Sequence, residues 1–192
     1  LAESLAKISA WVMASELIYY DIDLSFAPVI DIQNMSSQVI GDRSFSSNPE
    51  IVVRLAKSYI AGLHEAGMSA CGKHYPGHGT VHADSHFELP VDARPWKDIR
   101  DCDFSIFSQL IESLDGIMPA HVVYPSVDHF PAGFSEVWIK DKLRSELNFR
   151  GVVFSDDLTM AAAQAIPTPV ERAKRALVAG CDMILVCNDQ ES

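Results

Sequence analysis

Positive charge is what this sequence has least of. Its 192 residues hold 15 Lys and Arg against 26 Asp and Glu, a formal net charge of −11 at pH 7. Nucleic acid and anionic membranes are bound through clustered basic residues, so neither is an expected partner. Cysteine is scarce as well. Cys71, Cys102, Cys181 and Cys187 form no CxxC pair, which favours reduced thiols and a cytoplasmic location over a disulfide framework. No apolar run approaches the roughly 20 residues of a membrane helix, and no repeat or low-complexity segment interrupts the chain. No secretory leader is recognisable at the start, where Leu1 enters a helical pattern directly, as though something upstream had been removed. A glycine-rich phosphate loop is missing too, which counts against a doubly wound nucleotide-binding sheet.

What is present is a regular alternation of helix and strand patterns. Leu5, Ile8, Trp11, Val12 and Leu17 recur at helical spacing within residues 1–20. Residues 21–32 read as a buried strand, Pro49 opens a helix through about His64, and residues 67–74 form a second strand. Helices over 96–114, 136–147 and 169–179 then alternate with strands over 115–120, 151–155 and 182–187, with Gly180 stopping the last helix. The strands are continuous apolar runs, which implies a parallel sheet buried on both faces. They lead into Asp31, His74, His121, Asp156 and Asn188. A (β/α)8 barrel gathers its chemistry at that end of its strands. About five strands are found where a closed barrel, typically of ~250 residues, has eight. The expectation is a single α/β domain over residues 1–192, a partial (β/α)8 TIM-type barrel of about five βα units. Its uncovered sheet edges would favour self-association.

Two segments hold the density of chemistry. KHYPGHGTVHADSHFELP, residues 73–90, contains His74, His78, His82, His86, Asp84 and Glu88. His78, His82 and His86 recur every four residues and would share a helix face as metal ligands. Pro76, Gly77 and Gly79 argue against such a helix. The other reading is acid–base catalysis on a long loop, with Asp84 orienting and charging His86. The third is a solvated loop with incidental histidines. In GVVFSDDLTM, residues 151–160, Asp156 sits where a buried strand breaks into the barrel mouth, a natural place for a carboxylate nucleophile. Asp157 could equally be an acidic residue opening the next helix. Arg43 in IGDRSFSSNP either binds substrate oxygens or pairs with a neighbouring acid, and His121 in IMPAHV faces a similar choice.

With those motifs in view, the sequence resembles the NagZ-type β-N-acetylglucosaminidases (β-hexosaminidases) of glycoside hydrolase family 3. The resemblance is carried by DIDLSFAPVIDI (21–32), IGDRSFSSNP (40–49), HEAGMSACGKHYPGHG (64–79), ADSHFELP (83–90), IMPAHVVY (117–124), GVVFSDDLTM and AGCDMILVCN (179–188). The resemblance implies that Asp156 is the nucleophile, His86 the general acid/base and Asp84 the carboxylate that orients it. Arg43, Lys73 and His74 would bind sugar hydroxyls, and Asp31 and His121 would line the pocket. No metal or cofactor is implied, and the substrate would be a GlcNAc-containing muropeptide of cell-wall recycling. Retaining hydrolysis usually pairs two carboxyl groups about 5–5.5 Å apart; here a histidine with an ordinary pKa near ~6.5 would stand in for the acid. The family has about three further strands upstream, including an Asp-Gln-Glu-Gly-Gly segment, and further helices after the last strand. Without them, one wall of the sugar site is expected to be missing, and the alternative to a hydrolase is a catalytically inert barrel fragment or binding remnant.

Overall fold

The computed structural model describes residues 1–33, 39–78, 81 and 89–187. Five parallel strands lie side by side in sequence order: β1 (Leu24–Ser25), β2 (Ser69–Tyr75), β3 (Gly116–Pro119), β4 (Val152–Asp157) and β5 (Met183–Leu185). Helical crossovers join neighbouring strands, so the sheet curls as part of a (β/α) barrel, as the alternation predicted. Among the described residues, no helix is long and apolar enough to cross a membrane.

Helix boundaries follow local chemistry. In α2 (Pro49–Ala66), the Asn48 side chain accepts from the Glu50 and Ile51 N–H groups, and Pro49 gives up no hydrogen bond in the first turn. Gly67, with φ of 91°, closes it in the left-handed conformation. α5 (Pro169–Ala179) begins with a capping box between Thr168 and Glu171 and ends at Gly180 with φ of 117°. The predicted helix over 96–114 is instead broken into α3 (Trp96–Ile99), a wider π-type turn at Arg100–Phe104, and α4 (Ser105–Leu110). The crossover Val137–Glu146 is likewise wound in wide turns.

The first helix, α1 (Ala2–Tyr19), packs on α2 through its small residues. Ala10 and Ala14 are its buried side chains, whereas Leu5, Ile8, Trp11 and Val12 are exposed. Leu17, with Met13 and Ile18, is partly buried against the core, so only the first four residues of the predicting spacing mark the outer side. Gly62 of α2 sets the approach: a Cβ there would lie 2.2 Å from the Lys7 carbonyl oxygen.

Side chains alternate across the strands and divide the core in two. Ala70, Ile117 and Val153 face the helices and join the large cluster with Ile60, Leu63, Phe107 and Trp138. Cys71, Met118 and Phe154 face the other way and form a separate layer, flanked by Leu24, Phe26 and Leu185. That second layer is the inner wall of the curl.

Candidate active site

The alternation that puts Cys71 and Phe154 on the inner wall also puts Lys73 and Asp156, two residues further along each strand, one layer above them at the strand ends. There they meet in a cavity of about 330 Å³, lined by Arg43, Lys73, His74, His78 and Asp156, with Val39 and Met160 as apolar walls. Burial and the neighbouring Arg43 charge lower the Lys73 pKa, with Asp156 opposing them. Lys73 thus stays close enough to Asp156 to feel its charge while it shares the cavity with another cation.

Behind this cavity lies Asp31, 1% exposed. Its Oδ2 accepts from His74 Nδ1 at 2.7 Å and from the His74 backbone N–H at 3.1 Å. Its Oδ1 accepts from the His78 backbone N–H at 2.6 Å. Burial alone would raise the Asp31 pKa, but the charge and hydrogen bond of His74, together with His78, outweigh it and hold the carboxyl below its ordinary value. With Nδ1 committed to Asp31, His74 keeps Nε2 for whatever enters the cavity. The two imidazoles meet edge to face, with centroids 5.8 Å apart. Burial lowers the His78 pKa, against the pull of Asp31, which favours a neutral ring.

The Asp156 side is held by its neighbours. Asp156 Oδ1 accepts from the Asp157 N–H at 2.8 Å. Asp157 turns away to tie down the backbone: Oδ1 accepts from the N–H groups of Thr159 and Cys187, and Oδ2 from the Thr159 hydroxyl at 2.7 Å. Burial would raise the Asp157 pKa, yet the Thr159 and Cys187 bonds bring it below the ordinary value. Asp157 therefore does not open a helix: a short 3-10 turn begins at Ala161 and the next α-helix at Pro169. His121 is 0% exposed. It stacks on Phe134 at 5.1 Å and donates from Nε2 to the Asp157 carbonyl oxygen at 3.3 Å. Burial lowers its pKa, as suits a ring that donates once while Nδ1 meets no hydrogen-bond partner among the described residues.

Of the residues singled out by sequence, Arg43, Lys73, His74 and Asp156 thus come together around one cavity. Asp31 and His121 sit behind its surface and support residues at it, rather than lining it. Asp84 and His86 lie outside the described residues, as do His82, Glu88 and Asn188, so the expected acid–base pair and two of the three histidines of the metal alternative fall there. His78 joins the cavity through the Pro76–Gly77–His78 turn, whereas the sequence singled it out only as a metal candidate. Met160 and Val39 gave no sequence signal, being ordinary apolar residues in loops.

The chain is similar to known proteins along nearly its whole length. The chain is 54% identical over 191 residues to a curated β-hexosaminidase of Tolumonas auensis, covering 98% of this chain and 57% of that protein. The crystal structure of NagZ from Neisseria gonorrhoeae in complex with N-trifluoroacetyl-D-glucosamine superimposes with a TM-score of 0.90 at 48% identity, over 97% of this chain and 53% of that one. A glycoside hydrolase family 3 β-N-acetylglucosaminidase from Paenibacillus does so at 0.93 and 37% identity, over 96% and 36%. The chain spans little more than half the length of the curated relatives it matches. Residues 2–192 match the glycosyl hydrolase family 3 N-terminal domain, and the chain belongs to that family.

Proposed function

We propose that this chain carries the reacting groups of a retaining exo-β-N-acetylglucosaminidase that releases terminal N-acetylglucosamine from peptidoglycan-derived muropeptides in the cytoplasm. The observation that carries the reading is the meeting of the Asp156 carboxylate with Arg43, Lys73 and His74 in one cavity at the strand ends. The curated name of the relatives and the sugar derivative bound by the N. gonorrhoeae protein support the substrate class. The reduced thiols support the compartment.

In this mechanism Asp156 attacks the anomeric carbon while the glycosidic bond breaks, and His86 delivers a proton to the departing oxygen. The glycosyl-Asp156 ester is then opened by water, which His86, held by Asp84, deprotonates. Two inversions at the anomeric carbon retain its configuration. Arg43, Lys73 and His74 Nε2 hold the sugar hydroxyls. No step requires a metal or organic cofactor.

The test is release of 4-methylumbelliferone from its N-acetyl-β-glucosaminide by the intact protein, beside Asp156→Ala and His86→Ala variants. Loss of the nucleophile is expected to lower kcat by at least about 10⁴-fold. An Asp156→Ala protein with undiminished turnover would sink the assignment. Insensitivity to a chelator is expected alongside, and its failure would revive the metal reading of the histidine-rich segment.

A further inference from the structure

We propose that Arg172, on α5, is a positioning residue for this site: its buried guanidinium fixes the loop leaving β4, and through that loop the placement of Asp156 and Met160. The proposal rests on the reading of Asp156 as the attacking carboxylate. Arg172 is 8% exposed. Its Nη1 donates to the Leu158 carbonyl at 2.6 Å, Nε to the Ile166 carbonyl at 2.8 Å, and Nη2 to the Pro167 carbonyl at 3.1 Å. One rigid planar group thus ties together both ends of the segment 158–167.

Packing and local electrostatics give no other reason for a cation at this place. Arg172 lies in the first turn of α5, where the helix dipole disfavours positive charge. The other buried positions of that helix, Ala176 and Ala179, are small and apolar. Among the described residues its side-chain hydrogen bonds go to three carbonyls and to no carboxylate, so its charge is buried without an acid to match it, an arrangement that is costly in itself.

The geometry shows where the constraint falls. The Leu158 N–H is already bonded to the Leu185 carbonyl of β5. With Arg172 on its carbonyl, both backbone polar groups of Leu158 are held. Asp156 lies two residues before that fixed point and Met160, a wall of the cavity, two residues after it. A five-donor fork can satisfy three divergent carbonyls at once, whereas a lysine ammonium is a single point that cannot span them.

The experiment compares wild type, Arg172→Lys and Arg172→Met in the intact protein. Three readouts are taken: kcat and KM on the aryl N-acetyl-β-glucosaminide, thermal midpoint, and amide hydrogen exchange. For Arg172→Lys, kcat is expected to fall about 100-fold, as for a sub-ångström to 1 Å misplacement of a reacting group. KM should stay within about threefold. Exchange should quicken at the Leu158 and Met160 amides and not in α2. A lowered thermal midpoint with wild-type kcat well below it would overturn the proposal, because that is what a merely structural arginine gives. So would unchanged exchange at residues 158–160. Should Arg172→Met fail to fold, the lysine variant decides alone. Should wild type fail to hydrolyse the substrate, the functional reading falls, and exchange in the lysine variant still decides whether Arg172 holds the loop.

Discussion

Two buried carboxylates, Asp31 and Asp103, show how neighbours shift the same group in opposite directions. Asp31 receives one charged-type and two backbone hydrogen bonds, and the fold holds it ionised below its ordinary range. Asp103 shares the Arg94 guanidinium with Asp92, which sits at 2.6 Å from it against 2.8 Å for Asp103. Its Oδ1 has no hydrogen-bond partner among the described residues. Burial, aided by the Asp92 and Asp31 charges, pushes its pKa up to about 6 despite Arg94. The linkage signs therefore differ. Asp31 contributes stability that is complete above its unfolded value near 3.8 and is lost as pH falls through its lower folded value. The fold favours protonated Asp103, so stability from this group rises as pH falls from about 6 towards 4. Carbon-detected NMR titration should find Asp103 protonating near pH 6, with Asp31 still ionised at pH 4. Asp92→Asn should move the Asp103 midpoint downward, because it removes a like charge. A midpoint for Asp103 at or below 4 in the wild type would contradict the account.

At the scale of elements, α1 and α2 meet closely because Gly62 offers only a hydrogen to the Lys7 carbonyl. Gly62→Ala must push the helices apart, although alanine is the better helix former. The expected loss is about 1–3 kcal/mol, typical of overpacking, read from urea unfolding. A neutral or stabilising result would mean that α1 slides freely on α2. This contact also marks the limit of the sequence reading. Helix ends were legible where chemistry is local: Pro49, Pro169 and Gly180 punctuate as expected, and the structure adds Asn48 and Thr168 as the caps. Strand ends were legible to within a residue or two, since β2 runs one residue past His74 to Tyr75 and β4 runs through Asp156 to Asp157. What α1 touches was not legible. Periodicity marks an apolar stripe, whereas partners decide which side is buried, and here Ala10 and Ala14, flanked by Met13, Leu17 and Ile18, face inward. The strand over 21–32 shrank to Leu24–Ser25, with Val29 making an isolated bridge to Lys73. Pro28, in the middle of that run, has no N–H to give the ladder. Arg172 was invisible for a similar reason, since a charged residue in a helix reads as solvent-facing until three carbonyls are found around it.

The whole molecule can be interrogated through its four thiols, because they sample it from its inner wall to its surface. Cys71 belongs to the inner layer with Met118 and Phe154, and Cys181 packs in the main core beyond α5. Burial pushes each of these thiols up to about 12. Both access and thiolate are therefore denied to a reagent, since the thiolate is the reacting form. Cys102 is half-buried, and its thiol is raised by burial and by Asp103. Cys187 is exposed at the end of β5 but stands beside Asp157 and Asp156, whose charges, after burial, raise its pKa. An aromatic disulfide reagent at pH 8 should therefore label Cys187 first, more slowly than free cysteine, and Cys102 next. Cys71 and Cys181 should react only through opening of the core. Their labelling in rising urea should follow the loss of circular dichroism as one transition if inner layer and outer core unfold together. Early release of Cys71 alone would show instead that the inner wall, and with it the floor beneath Lys73 and Asp156, opens independently of the helices packed outside it.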